Sequence, residues 1–424
     1  MSAEERFRQL AGVHDRCFWL DGGGGLEWSG RRSLIGWLDD DDVSLTLVDG
    51  KVFRHARGAS VAVGNDIFDI FDVLETEMEG DGSDVHWVGY FGYASRPDLP
   101  AGLDTEDLAP TAVWMRARHV EVFDHPDVPR QARPPGASTT ITTPDDYREA
   151  FARVQQELLA GNSYEVNLTY RVEVESDLDP VEAYLRLREL NPAPYAGFLQ
   201  HGHTRLLSSS PERYAAIDRN RMIETKPIKG TTPRGATPEQ DAELREHLRS
   251  DPKIRSENLM IVDLLRNDLA LVCDPGSVEV PALMQVESYE SVHQLVSTVR
   301  GRLREDVTTV GALRSLFPAG SMTGAPKLRT MHIIDAVEGT PRGVYAGAFG
   351  WICGDGRADL GVVIRSLVAT PSVDGWRYRL GTGGGITVRS DVDEEYAESR
   401  WKSERLLRIF EDPSVSSRLP GSST

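Results

Sequence analysis

Apolar residues recur at Tyr147, Phe151, Val154 and Leu158, a spacing of three and four that predicts an amphipathic helix. Thr143 is placed to cap it, Pro144 suits its first turn, and Asp146 completes a capping-box-like pattern. Gly161 ends it. A second helix is predicted from Ser256 to Leu269. There Ile261, Leu264 and Leu265 follow Glu257 by four, seven and eight residues, so Glu257 shares the apolar face. A third runs from about Asp393 to Phe410. Glu395, Glu398 and Lys402 fall within about 60° of one another on it, and Leu406 continues the stripe. Val43 to Val48 alternates like a strand, and Trp376 to Leu380 and Leu360 to Leu367 are strand-like runs. Trp87 to Tyr93 mixes aromatic residues with glycine, as where backbones pack closely. Pro126 to Pro144 is a Pro/Gly/Ser/Thr-rich connection, and the composition of 412–424 predicts a disordered tail. Pattern alone supports a mixed α/β protein.

Composition narrows the functional classes. A chain of 424 residues, 40% hydrophobic and 27% charged, has the make-up of a large globular protein. A net charge of −19 argues against nucleic acid or an anionic membrane as partner, while leaving room for a local basic pocket. Cys17, Cys273 and Cys353 are odd in number and widely spaced, which supports neither a disulfide framework nor a zinc site. Reduced thiols, an N-terminus without a signal-peptide core and no membrane-spanning apolar run lead us to expect a cytoplasmic protein.

Lysine is nearly avoided: six occur among 47 basic residues. One of them, Lys229, sits between Pro227 and Gly230. Arginine stays protonated, whereas a desolvated lysine can lose its proton and act as nucleophile or base. A solvated surface lysine is the plainer reading of Lys229 alone. Glu257 on an apolar face needs a cation or donors, or else is a glutamate favoured by the helix dipole. Glu398 and Lys402 suit a surface salt bridge, but two carboxylates on an inward stripe, with Glu257 elsewhere, are better explained by Mg²⁺. Gly381-Thr-Gly-Gly-Gly385 offers either an anion cradle of backbone N–H groups or a tight turn. Arg365, among apolar residues, calls for a bidentate anionic partner. Gly320 to Lys327 lacks the ending of a phosphate loop. His293 reads as a hydrogen-bonded core histidine or a site residue.

Several segments appear together and in order: Ser210-Pro-Glu-Arg213, Pro227 to Thr231, Glu257 to Leu264, Arg266-Asn-Asp268, Phe317 to Lys327, Ile364-Arg365 and Gly383 to Lys402. Over about 145–410 the chain resembles the chorismate-utilising enzymes. The resemblance implies an α/β fold of two large packed β-sheets with helices outside. Residues 1–130 would form its N-terminal region and 140–411 its chorismate-binding catalytic region. It implies Mg²⁺ bound by Glu257 and Glu398, with Glu395 in support. Arg365, Tyr345 and Lys402 would contact substrate, with Gly230, Thr231, Thr323, Gly383, Gly384 and Gly385 around it. His293 would lie beside the ring.

Two positions divide this family by nucleophile. Water-adding members carry a lysine base where this chain has Glu165, and anthranilate synthases usually have alanine where it has Lys229. The lysine form is typical of aminodeoxychorismate synthases. That branch implies attack on C2 of chorismate by Lys229, neutralised by its pocket. Glu212 would protonate the departing C4 hydroxyl, and ammonia would then displace the lysine at C4. No glutaminase constellation of Cys and His stands out, so a separate glutamine amidotransferase subunit would supply ammonia. The rivals are anthranilate synthase component I, or another C2-aminating enzyme, and an inactive ligand-binding homologue. Ile254, Gly361 and Arg389 depart from the family pattern.

Overall fold

The computed structural model describes residues 1–22, 32–78, 86–125, 142–289 and 292–411. The 412–424 tail and nearly all of the 126–144 connection lie outside them.

Among the described residues, the strands assemble into two antiparallel sheets, of nine and twelve strands. The nine-stranded sheet runs, in spatial order, Gly324–Ala325, Glu165–Ser176, Gly375–Ile386, Ser366–Ser372, Thr204–Ser210, Tyr195–His201, Arg16–Asp21, Arg32–Trp37 and His119–Asp124. The other begins Ile228–Pro233, Val292–Arg302, Met222–Lys226, Arg213–Ile217, Ala358–Val362 and Ala348–Cys353. It continues through His86–Phe91, Ala112–Ala117, Ser44–Val48, Lys51–Ala56 and Ala59–Gly64, while Glu279–Ser288 also pairs with Val292–Arg302. Strands from before residue 130 and after residue 140 therefore share both sheets.

The sheets pack face to face. Phe18, Leu199 and Leu206 of one bury against Val88, Tyr90, Val113 and Phe349 of the other. Two glycines permit the approach. A Cβ on Gly197 would lie 2.7 Å from the Phe349 ring, and one on Gly361 2.5 Å from Tyr195 across the gap. The departure at Gly361 is thus a packing requirement. Helices Ile67–Met78, Pro252–Ala270 and Thr309–Leu316 cover the outside of the larger sheet, around Phe71, Ile261, Leu265 and Leu313. Helices Ala3–Ala11, Pro180–Leu190 and Val392–Leu407 cover the smaller one, around Phe7, Tyr184 and Leu406. Layers of this kind arise because each sheet must bury both apolar faces.

The predicted strand at 43–48 appears as Ser44–Val48, and the aromatic run as His86–Phe91. Gly89 and Gly92 each lie against a neighbouring backbone carbonyl, with no room for a Cβ. The 147–158 helix spans Asp145–Leu159 with its predicted apolar stripe buried, and Gly161 follows at φ +76°. Thr143 does not cap it. Pro144 holds the N-cap position, and the Thr143 hydroxyl instead donates to Asp393 Oδ1 at 2.6 Å. The Glu257 helix begins earlier than expected, at Pro252, with Asp251 accepting from the Ile254 N–H at its cap. Glu257 therefore lies in the second turn, where the dipole argument weakens. All three cysteines are buried and unbridged.

Candidate active site

A cavity of about 520 Å³ opens between the sheets and is closed by helices Pro252–Ala270 and Val392–Leu407. Its walls bring together Lys229, Glu212, Gly230, Thr231, Tyr345, Arg365, Gly383, Gly384, Gly385 and Lys402 with Glu257, Glu395 and Glu398.

Lys229 reaches the cavity through a bulge. Ile228 pairs with Val296 and Thr231 with Gln294, so one extra residue stands in the edge strand. Gly230 takes φ +81°, and a Cβ there would strike Ile254 at 2.7 Å. A bulge of this kind re-aims the side chain it carries. Ile254, an acidic position in the family pattern, is thus a packing partner for the bulge. The Lys229 ammonium is paired with the carboxylate of Glu165, which is 2% exposed and opens the facing strand. Burial alone would favour a neutral lysine. The Glu165 and Glu257 carboxylates overrule it and hold the proton well above the usual lysine range. The expected neutral Lys229 is therefore corrected: before substrate binds, the pocket holds an ammonium.

Glu212 is held toward its protonated form. Burial pushes its carboxyl up to about 7, against the opposing pull of the Ser321 hydroxyl, which donates to Oε1 at 2.5 Å. Arg365 sits where the chain leaves the larger sheet at Val362 and enters the smaller at Ser366. The expected continuous strand is broken there, and Arg365 adopts φ +49°, a strained conformation for a non-glycine residue. Burial and the nearby Arg405 charge push its guanidinium down to about 10, so it stays charged at neutral pH. Among the described residues its guanidinium has no carboxylate partner, which leaves it open to an anionic ligand.

The glycine run forms neither of the predicted alternatives. Gly383, Gly384 and Gly385 continue the strand Gly375–Ile386 and pair with Thr169, Leu168 and Asn167. Their role is clearance. A Cβ on Gly385 would stand 2.1 Å from Glu165 Oε1 and 3.0 Å from Lys229 Nζ, and one on Gly384 3.3 Å from Glu395 Oε2. Lys402 donates to Glu398 Oε1 at 2.9 Å and to the Gly383 carbonyl at 3.1 Å. Tyr345 stacks under Arg171 at 4.9 Å, and burial pushes its hydroxyl up to about 12.

The acidic trio shares the cavity without closing into a tight cluster. Glu395 is buried and receives Lys253 Nζ at 2.9 Å, whereas the Glu398 side chain is 56% exposed. Among the described residues, three potential ligand atoms within 4.8 Å of one another occur only at Asp39, Asp42 and His119, two carboxylates and an imidazole near the Arg16 and Arg118 guanidiniums. Burial raises Glu257 to about 7, opposed by Lys229 and reinforced by Glu165 and Glu395. A buried carboxylate pushed toward its neutral form, with two further carboxylates on the same wall, suits a hard cation with oxygen ligands.

Two predicted residues lie off the cavity wall. Thr323 is fully buried, its hydroxyl donating to the Ala319 and Gly320 carbonyls. His293 is buried with both ring nitrogens engaged, by Ser288 Oγ at 2.8 Å and Asp241 Oδ1 at 3.0 Å. Residues not singled out are Glu165 as the lysine's partner, Ser321 and Lys253. Ser321 lay inside a recognised motif, so its hydroxyl was available as a signal. In sequence Glu165 is visible only as a glutamate at a lysine position of the water-adding members.

A family model described as chorismate binding enzyme matches residues 106–408. The chain belongs to that family of chorismate-binding enzymes. It is 39% identical to an aminodeoxychorismate synthase of Streptomyces griseus, covering 99% of this chain and 64% of that one. A second such synthase, of Streptomyces pristinaespiralis, is 42% identical over 76% of this chain and 50% of its own length. The chain thus spans between half and two thirds of these two relatives. Aminodeoxychorismate synthase component 1 of Klebsiella aerogenes is 38% identical, covering 76% of this chain and 77% of that one. Anthranilate synthase component I from Streptococcus pneumoniae shares the fold, with a TM-score of 0.72 at 24% identity over 89% and 92% of the two chains.

Proposed function

We propose that the chain aminates chorismate at C4 to give 4-amino-4-deoxychorismate, towards 4-aminobenzoate, in an Mg²⁺-dependent reaction. The observation that carries this reading is Lys229 on its bulge, in the same cavity as a Glu212 that holds a proton near neutral pH. Lys229 forms a bond to C2 as the ring double bonds shift. The C4–O bond breaks, and Glu212 gives its proton to the departing hydroxyl as water. Ammonia then attacks C4, the double bonds shift back and the C2–N bond to Lys229 breaks. Arg365 and Lys402 hold substrate carboxylates. Glu257 and Glu398, supported by Glu395, would hold Mg²⁺, which when bound offsets substrate charge and fixes a carboxylate.

Ammonia comes from a separate glutamine amidotransferase subunit, a reading supported by relatives named as component 1. No helix among the described residues is long and apolar enough to cross a membrane, and a cytoplasmic setting fits the unbridged cysteines. Anthranilate formation is the second reading, favoured by 43% identity to an anthranilate synthase component 1 of Haloarcula marismortui. Incubation with chorismate, Mg²⁺ and ammonium decides between them. The expected product is 4-amino-4-deoxychorismate without pyruvate. Anthranilate with an equal amount of pyruvate would overturn the proposal.

A further inference from the structure

Glu165 is the one ion-pair partner of Lys229 among the described residues, and Lys229 is the one hydrogen-bond partner of the Glu165 carboxylate. The second oxygen, Oε2, is buried with no hydrogen-bond partner. A carboxylate is stabilised by the donors around it, and this one has a single donor. If Lys229 lost its proton to bulk water, a bare carboxylate would be stranded in the protein interior, an arrangement of high cost. A neutral Lys229 is reached cheaply in one way only: the proton crosses to Glu165, leaving an amine beside a carboxylic acid.

We infer that Glu165 is the proton acceptor that unmasks Lys229 and later returns the proton. The inference rests on the covalent reading above. In the resting pair the nitrogen is an ammonium and Glu165 a carboxylate. The Nζ–H bond breaks and an O–H bond forms on Glu165. The free amine lone pair makes the bond to the ring, and the nitrogen becomes a secondary ammonium. When ammonia displaces it, the C–N bond electrons return to nitrogen as a neutral amine, which takes its proton back from Glu165. The new ammonium at C4 gives a proton to Glu212, already deprotonated in the first half. No external acid or base is consumed.

The geometry protects this exchange. Gly385 leaves room for the pair, since any Cβ would overlap Glu165 Oε1. The other charged groups lining the same cavity are Glu212, Asp251, Lys253, Glu257 and Arg365, with Glu395, Glu398 and Lys402 from the last helix. No hydrogen bond joins Lys229 or Glu165 to Glu257, Glu395 or Glu398 among the described residues, so the pair acts on the carboxylates assigned to the metal only through space.

The test compares wild type with Glu165→Gln and Glu165→Asp, with folding checked by circular dichroism and thermal melting. Two rates are read at Lys229 by peptide mass spectrometry between pH 6.5 and 9.5. One is acetylation by acetic anhydride without substrate, which reports how freely the ammonium loses its proton. The other is formation of the chorismate adduct with Mg²⁺ present. In Glu165→Gln, acetylation at pH 8 should rise above wild type, because the nearer of the two holding charges is gone and only Glu257 remains. Adduct formation at pH 7 should fall by at least roughly tenfold, because the proton has no internal acceptor. The deficit should shrink by about tenfold per pH unit as free amine accumulates. Glu165→Asp should keep a pH-independent ratio to wild type. The inference is overturned if the glutamine variant forms adduct as fast as wild type at pH 7, if its deficit is constant with pH, or if acetylation is unchanged. A wild-type enzyme that aminates chorismate with no adduct on Lys229 overturns the covalent reading instead, and the wild-type arm alone reveals it.

Discussion

Burial acts on Glu212 and Lys229 alike, yet only Glu212 follows it. Burial outweighs the Ser321 hydroxyl and the Lys229, Arg365 and Lys402 charges and lifts the carboxyl to about 7, whereas the carboxylates around the lysine outweigh burial and keep its proton. Glu212 must be protonated to serve as acid, so at saturating Mg²⁺ kcat should fall as pH climbs through about 7. The Ser321 hydroxyl favours the anion, so Ser321→Ala should move that falling limb to higher pH; a limb left in place means Glu212 is not the titrating acid. Lys229 separates two roles. Lys229→Ala strands the buried Glu165 charge and should cost about 3–5 kcal/mol in chemical denaturation. Lys229→Arg keeps a cation beside Glu165 and should recover most of that stability without activity, since arginine does not become a neutral nucleophile. Recovered turnover in the arginine variant would make Lys229 an electrostatic anchor. The scarcity of lysine made this residue legible from sequence, and three of the six lysines line the cavity. Its pairing was not legible, because the contact joins residues 64 positions apart on facing strands.

The strongly periodic helix at 147–158 buries the predicted face, whereas at 395–406 Glu395 and Leu406 are buried but Glu398, on the same predicted inward stripe, is more than half exposed. Helix ends were read less well. Thr143 had the right chemistry for a cap, but a tertiary partner, Asp393, captured its hydroxyl. The glycine run misled for a related reason: glycine permits turns, but here three consecutive glycines are kept extended by an eleven-residue ladder with the strand Glu165–Ser176. What those positions require is the absence of a side chain. Gly385→Ala should force the Glu165–Lys229 pair apart, costing about 1–3 kcal/mol of stability and most of the turnover. Gly384→Ala, facing the open cavity beside Glu395, should leave the melting temperature within about 1 °C of wild type while weakening substrate binding. Equal losses of stability in both variants would refute the clearance argument.

Neither sheet could be assembled from the sequence alone, since strand order depends on pairings between distant segments, such as Arg16–Asp21 with Tyr195–His201. The family resemblance gave the two-sheet plan and joined the cavity residues into one site, with Thr323 and His293 wrongly included; local pattern marked Lys229, Glu257, Arg365 and the Glu395 stripe singly but could not bring them together. The assembled molecule places Glu165 and Gly383 to Gly385 on one sheet and Lys229 to Thr231 on the other. Arg365 lies on the crossing between them. A ligand held by these groups must touch both layers at once. Chorismate at a hundred times its Kd should therefore raise stability by roughly 2.7 kcal/mol, read as an upward shift of a single unfolding transition. A two-step melt with only one step moved would show that the layers unfold independently.

That crossing carries a mechanical corollary. The crossing is only three residues long, Val363 to Arg365, and its last residue holds a backbone conformation that costs free energy. An occupied cavity acts as a rivet through the slabs beside this short hinge, and an empty one leaves the hinge and the packed seam to bear any relative sliding. Small shear between the layers would change the gap between Lys229 and its target carbon by the same amount. Substitutions buried far away in the seam, at Gly197 or Phe349, would then be felt as a loss of reach at the nucleophile.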